Sequence, residues 1–237
     1  MLDRSLRLFP LNAVLFPGAM LHLHVFEPRY RQLIDECLRE GTSFGVALIL
    51  EGGEAGDVSV MPHDVGTVAQ IQEVTPLPFE RYYVTTVGRR RFRIEKIISR
   101  EPYLTAAVVY FEDDPSPEPG CQKLADDVRI ATGKYLHLLR DVAPSDVAED
   151  FGSDPSAVSY LVAHSLQIAD PLKQRLLELS STKQRLTTEI RLLRRLIPQL
   201  RKLLQRRQAA TDAVAQGPGT AFRKRQDELF GKHFSLN

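Results

Sequence analysis

Cysteine is nearly absent from this chain of 237 residues: Cys37 and Cys121 are its only two, and neither sits in a C-x-x-C or other ligand spacing. That excludes a disulfide scaffold and a cysteine zinc site, and leaves two free thiols expected in a reducing cytoplasm. No run of 18 apolar residues occurs, so no transmembrane helix is expected. Met1–Arg7 lacks the apolar core of a signal peptide. Net charge is +1, which leaves no global field to draw the chain to nucleic acid or a membrane. A phosphate-cradling G-x-x-x-x-G-K-S/T loop is missing too. Its nearest fragment, Ala131-Thr132-Gly133-Lys134-Tyr135, lacks the first glycine and the hydroxyl after the lysine, and falls inside a helical period. No nucleophile, base and orienter stand in a pattern that marks a catalytic site. The chain reads as a non-enzyme without catalytic residues or cofactor.

What is present concentrates in Leu8–Arg31, LFPLNAVLFPGAMLHLHVFEPRYR. Residues 6–11 read as a strand in which Pro10 marks an edge or a bulge. Phe16-Pro17-Gly18 has turn chemistry. From Met20 to Phe26 the chain alternates, with Met20, His22, His24 and Phe26 on one face and Leu21, Leu23 and Val25 on the core face. Pro28 suits the first turn of a helix carrying Tyr30, Leu33, Ile34, Cys37 and Leu38, with Gly41 as its C-cap.

Further on, the run Phe44–Leu50 predicts a buried strand, and Gly66–Val74 another. Pro76–Glu80 reads as a turn, Tyr82–Glu95 as two strands about Gly88, and Leu104–Phe111 as a last strand. Many short strands with one or two helices imply a small, partly open barrel over residues 1–112. The acidic, proline-rich stretch Glu112–Gly120 marks a boundary, with 113–120 as linker. Residues 121–207 then switch to the helical period and imply a bundle. Its stripes run from Leu124 to Val142, behind Asp154-Pro155, and behind Asp170-Pro171. Ser181–Gln184 has capping-box spacing. Leu186, Ile190, Leu193, Ile197, Leu200 and Leu204 form a heptad seam in 182–207, in which Pro198 predicts a bend near Arg194–Arg195. The composition of 208–237 reads as a flexible tail. The fold class is α+β.

The order of these motifs resembles the N-terminal, substrate-binding domain of Lon proteases. The likeness lies in Phe9-Pro10-Leu11, Val14–Gly18, His24–Tyr30, Phe44-Gly45-Val46, Gly66–Ala69, Gly88–Ile94, Ala169-Asp170 and Lys173–Glu178, and covers roughly residues 6–205. The resemblance implies a PUA-like β-barrel followed by a C-terminal helical bundle. In full-length Lon this unit recruits unfolded or tagged substrates, helps the ring assemble and holds no catalytic residue. Neither an ATPase nor a Ser–Lys peptidase module is expected here. The implied function is non-catalytic binding of protein or peptide segments by an adaptor or chaperone-like protein of proteolysis or quality control.

Candidate peptide-binding residues follow from position. Phe16, Pro17, Met20, Phe26 and Phe79, with Tyr83, would offer an adaptable apolar surface, while Glu27, Arg29 and Tyr30 would form its polar rim. The plainer alternatives are core packing for the aromatics, Phe26 above all, and a helix-fixing Glu27–Arg29 pair. Arg89, Arg91 and Arg93 form a basic row that could meet RNA phosphates, against the plainer reading of a solvated face. His22 and His24 point the same way, and His63-Asp64 is the one nearby source of a third ligand; without carboxylates or thiols at ligand spacing no metal is assigned. From Leu172 to Arg207 there are eleven Lys and Arg against Glu178 and Glu189 alone. That basic character and the seam point to a partner helix, in cis or in a homodimer.

Overall fold

In the computed structural model, which describes residues 5–53, 59–113, 119–141 and 152–215, the chain forms β1 (Ser5–Leu11), β2 (Met20–Val25), α1 (Pro28–Glu40), β3 (Phe44–Glu51), β4 (Met61–Pro62), β5 (Val65–Leu77), β6 (Arg81–Ser99), β7 (Thr105–Phe111), α2 (Cys121–Arg140), α3 (Pro155–Ser165), α4 (Asp170–Glu178) and α5 (Thr182–Ala215). β1 buries Leu6 and Leu8 on one face and Phe9 and Leu11 on the other, so it needs cover all round. It pairs antiparallel with β7 and parallel with β3. Because β3 pairs with β5, β5 with β6 and β6 with β7, those pairings close a ring of five strands. The barrel is therefore closed, where the sequence suggested a partly open one. Pro10 is tolerated because β7 reaches only Ser5–Arg7, leaving β1 a partner on one side at the proline.

Tyr82–Glu95 does not break at Gly88. It belongs to one 19-residue strand, β6, which changes partners part-way. Residues 82–87 pair with β2, and 91–99 with β7. The loop before β2 crosses in the gap: Gly18 N–H donates to Gly88 O at 2.9 Å, and Gly88 N–H to Ala19 O at 2.8 Å. A Cβ on Gly88 would lie 2.1 Å from Phe16 O, so only glycine lets the loop cross there. β5 runs on to Leu77, and the β5–β6 hairpin turns at Phe79 and Glu80, both at positive φ (63° and 53°).

Helix α1 starts at Pro28 and stops at Gly41 (φ 64°), as its sequence signals require. Asp154 caps α3 through Ala157 N–H, and Ser181 Oγ accepts from Gln184 N–H at the head of α5. α4 starts one residue earlier than its Asp170-Pro171 signal suggests, with Ala169 at the cap. The seam of α5 is used within the chain. Leu186 and Leu193 are fully buried, and Ile190, Ile197 and Leu200 pack with them against α2 and α3 residues including Val128, Leu136 and Val158. α5 runs through Pro198 as one helix and continues over Gln208–Ala215, where the composition suggested a flexible linker. The tail beyond Ala215, linker residues 114–118 and the stripe position Val142 lie outside the described residues.

The helices also reach the barrel. Tyr160, Ala163, Leu176 and Leu177 share one apolar cluster with Phe9, Phe16, Phe44 and Val84, and Gln174 Nε2 donates to Val65 O on β5 at 3.0 Å. Gly88→Ala drives a methyl group into backbone rather than into a movable side chain. We expect it to lower the unfolding free energy by about 1–3 kcal/mol, read by urea denaturation; an unchanged midpoint would contradict the loop crossing.

Candidate functional site

Two surfaces carry the chemistry. The first is the outer face of β2 and the hairpin beside it. Period-two alternation buries Leu23 and Val25 and sends Met20, His22 and His24 outward. Register brings His24 opposite Tyr83 and His22 opposite Thr85, with His22 Nδ1 and Thr85 Oγ1 3.2 Å apart. The His22 and Tyr83 rings lie nearly parallel at 5.8 Å, and His24 sits 5.9 Å from Phe26. Val25 pairs with Tyr82, so Phe26 leaves the ladder level with Arg81, next to the hairpin tip. Met20 is 54% exposed, Phe26 55%, Tyr83 43% and Phe79 87%. Phe26, for which core packing was the plainer expectation, is outside.

The other candidates of that group go elsewhere. Phe16 is fully buried beside Tyr160, because the loop crossing pins it under β6. Tyr30 is buried and stacks on Phe9 at 3.9 Å. Glu27 and Arg29 pair at 3.0 Å at the head of α1, with the guanidinium 4.5 Å over the Tyr30 ring. That pair closes on itself at the corner between β2 and α1. Pro17 is half-buried and lines the second surface.

The second surface is a cleft of about 970 Å³ where β6 changes partners, lined by Pro17, Gly18, Gly88–Arg91, Phe111–Asp113 and the first residues of α2, α3 and α5. Its floor is a buried ionic network that the sequence did not reveal. Arg91 Nη2 and Arg185 Nη2 each donate to Asp113, both at 2.6 Å. Tyr160 OH and Thr182 Oγ1 donate to it at 2.6 Å, and Ser156 Oγ at 2.5 Å. Arg91 Nη1 also caps the end of α4, donating to Leu177 O and Leu179 O at 2.7 Å. The Arg185 guanidinium lies 3.9 Å over the Tyr160 ring, and its Nε donates to Ser159 Oγ, which donates in turn to Glu189.

Arg91 is thus 1% exposed, so the basic row of Arg89, Arg91 and Arg93 does not exist as a surface. Arg89 bonds Gln70, and Arg93 lies over Phe111. The parity of a solvated strand fails because β6 is covered on both sides here: Phe92 enters the cluster of Leu6 and Leu8, and the helices cover Arg91. His63 faces Glu178 on α4 at 3.9 Å rather than joining His22 and His24. Among the described residues no three His, Cys, Asp or Glu side chains gather as a metal site. None of the helices is long and apolar enough to cross a membrane among those residues.

Two carboxyls in the network titrate oppositely. Burial acts to raise Asp113, but hydrogen bonds and charge from Arg185, with the Ser156 and Thr182 hydroxyls, hold it well below the usual carboxylate range. Glu189 is buried without a charge partner in contact, and burial pushes it up to about 8 against the pull of Ser159 and Arg185. It is protonated at neutral pH.

This architecture, a closed barrel with a helical extension sharing its core, is that of the Lon N-terminal domain. The family model of the ATP-dependent protease La (LON) substrate-binding domain matches residues 5–195, and the chain belongs to that family. It is 31% identical to Lon protease 2 of Syntrophobacter fumaroxidans over 188 residues, which is 77% of this chain and 23% of that protein. It is 27% identical to Lon protease 2 of Myxococcus xanthus, over 82% of this chain and 24% of the other. The chain thus spans about a quarter of the length of these curated relatives. Among solved structures, the Lon N-terminal domain protein from Xanthomonas campestris superposes with a TM-score of 0.60 at 29% identity, covering 78% of this chain and 96% of that one. The N-terminal domain of Mycobacterium avium complex Lon protease gives 0.62 at 19% identity, covering 80% and 97%, a likeness of fold.

Asp113→Asn removes the charge that two buried guanidinium groups share. A loss of about 3–5 kcal/mol in unfolding free energy is expected, measured by denaturant titration; a loss within 0.5 kcal/mol, as at an ordinary surface site, would refute the network. Glu189 gives a separate test. It holds its proton up to about 8 when folded and to 4.5 when unfolded, so its contribution to stability is complete below 4.5 and is lost as pH rises through about 8. Asp113 acts in the opposite sense, losing its contribution only in acid below its ordinary 3.8. Unfolding free energies of Glu189→Gln should therefore lack the decline that the parent shows between 4.5 and about 8; parallel profiles would contradict the assignment.

Proposed function

We propose that the chain recognises exposed segments of protein substrates on the Met20, Phe26, Phe79 and Tyr83 face, without cleaving them, as an adaptor or chaperone-like component of cytoplasmic protein quality control. Family membership supports substrate recognition, and one observation supports this face: Met20 at one end of β2, and Phe26, Tyr83 and Phe79 toward its other end and the hairpin turn, are all exposed large apolar side chains. Methionine and aromatic side chains adapt to many sequences, which suits unfolded chains that share no motif. The His22 imidazole and the Thr85 hydroxyl add hydrogen-bonding groups to this face. Asp113 already accepts from two guanidinium groups and three hydroxyls, which suits it to holding barrel and helices together rather than to nucleophilic chemistry.

The test is binding to a permanently unfolded protein, reduced and carboxymethylated α-lactalbumin, followed by anisotropy. All three chosen positions are exposed, so Met20→Ser, Phe26→Ser and Phe79→Ser combined should leave stability nearly unchanged. Loss of their apolar contacts should weaken binding tenfold or more, which is about 1.4 kcal/mol. Equal affinity of the triple variant and the parent would sink the assignment of this face.

A further inference from the structure

The substrate-recognition face has an edge as well as a surface, and the hydrogen-bond phase of β2 determines what that edge offers. Gly88 N–H donates to Ala19 O, and Met20 stands opposite Val87. In an antiparallel ladder this makes Met20–Val87 a pair without mutual bonds and Leu21–Thr86 a bonded one. Leu21, Leu23 and Val25 therefore spend their N–H and C=O groups on β6. Met20, His22 and His24 turn theirs the other way. Among the described residues no strand pairs on that side of β2.

Sheet edges of folded proteins are usually protected by a lysine, a proline, a bulge or an inward charge. β2 has none of these. Its sequence, Met-Leu-His-Leu-His-Val, holds no acid, lysine, arginine or proline, and its register with β6 runs through six pairs without a shift. β6 pays no such penalty for flatness elsewhere: its ladders with β5 and β7 carry register shifts. Among the described residues β2 keeps an unshifted register over six pairs and pairs on one side only.

We propose that this edge is the docking line for substrate: an extended stretch of unfolded polypeptide adds to β2 as a further strand, bonded to the backbone of Met20, His22 and His24. Main-chain bonding supplies affinity without demanding a sequence, and alternate side chains of the added strand fall beside Met20, His22 and His24 on the exposed face. Six residues extend about 20 Å, enough for a short unfolded segment. A second copy pairing through the same edge is the other physical option. A ribbon one strand wide and this short falls well below the roughly 1,200–2,000 Å² of a stable protein interface, whereas a transient peptide strand needs no more than the ladder.

The proposal rests on the substrate-recognition reading, and the experiment separates the two. The probe is a fluorescein-labelled decapeptide of alternating valine and threonine with terminal lysines, alongside carboxymethylated α-lactalbumin. One derivative is N-methylated at alternate amides, which leaves one edge able to pair. A second is methylated at both sets and has no pairing edge. On the protein side, His22→Pro removes an outward N–H that β6 does not use, a substitution an edge strand tolerates; circular dichroism and the unfolding midpoint report whether it folds.

The expected result is that the singly methylated peptide binds within about threefold of the parent, while the doubly methylated peptide, and His22→Pro with either parent probe, lose tenfold or more. If His22→Pro does not fold, the methylated peptides on the unaltered protein decide alone. Binding of the doubly methylated peptide at parent affinity overturns the edge. If the Met20, Phe26 and Phe79 variant still loses α-lactalbumin in that case, the recognition face stands without it. If wild type binds neither probe, both readings fall. A concentration-dependent dimer that His22→Pro abolishes in sedimentation also overturns the proposal, because the edge would then belong to a second copy.

Discussion

A single carboxylate, that of Asp113, ties the barrel to the helices by charge, beside the apolar core the two share. It comes at the end of the last barrel strand and receives Arg91 from the middle of β6, Arg185 from α5, and hydroxyls from α3 and the head of α5. Two guanidinium groups taken out of water are tolerable only when almost every N–H finds an acceptor, and here the spare donors are taken by the last carbonyls of α4 and by Ser159. The geometry is therefore fixed from several sides at once. The barrel cannot shift against the helices without stranding a buried charge.

That constraint divides the surface. On one side of β6 the helices are locked down over Arg91 and share a core with the barrel. On the other, β2 and the tip of the β5–β6 hairpin, which Arg31 of α1 ties down at Glu80, carry Met20, Phe26, Tyr83 and Phe79 into solvent. Rigidity on the first side keeps the second one presented. The chain belongs to a family defined by substrate binding, matched over residues 5–195, and its curated relatives are about four times longer than the region they share with it. A recognition unit fastened to its own helical support agrees with both facts.

Much of this was legible in local sequence, because local periods report local geometry. Alternation in Met20–Val25 gave the two faces of β2 correctly, and Pro28, Gly41, Asp154 and Ser181 marked helix ends that depend on a few neighbouring residues. The family resemblance and the α+β class were legible as well. What was not legible depends on partners distant in the chain. Arg91 looks like part of a solvated row until Leu177, 86 residues later, places a carbonyl over it. Asp113 looks like one more acid in a proline-rich linker. Phe16 and Tyr30 could have been surface or core, and only the Gly88 crossing and the Phe9 stack decide for core. Barrel closure rests on the parallel pairing of β1 with β3, for which the only local hint is that β1 is apolar on both faces. Leu186, Ile190, Leu193, Ile197 and Leu200 of the heptad spacing pack within the chain, but the spacing does not say whether the partner is α2 or another chain.

The proposed substrate face is β2–β6, with the bonds of the Asp113 network left as they are. Hydrogen–deuterium exchange of the whole chain, with and without carboxymethylated α-lactalbumin, tests it directly. Protection is predicted in residues 20–26 and 81–87, with exchange at Arg91, Asp113 and the start of α5 unchanged. Protection confined to the cleft around Asp113, with β2 unaffected, would contradict it.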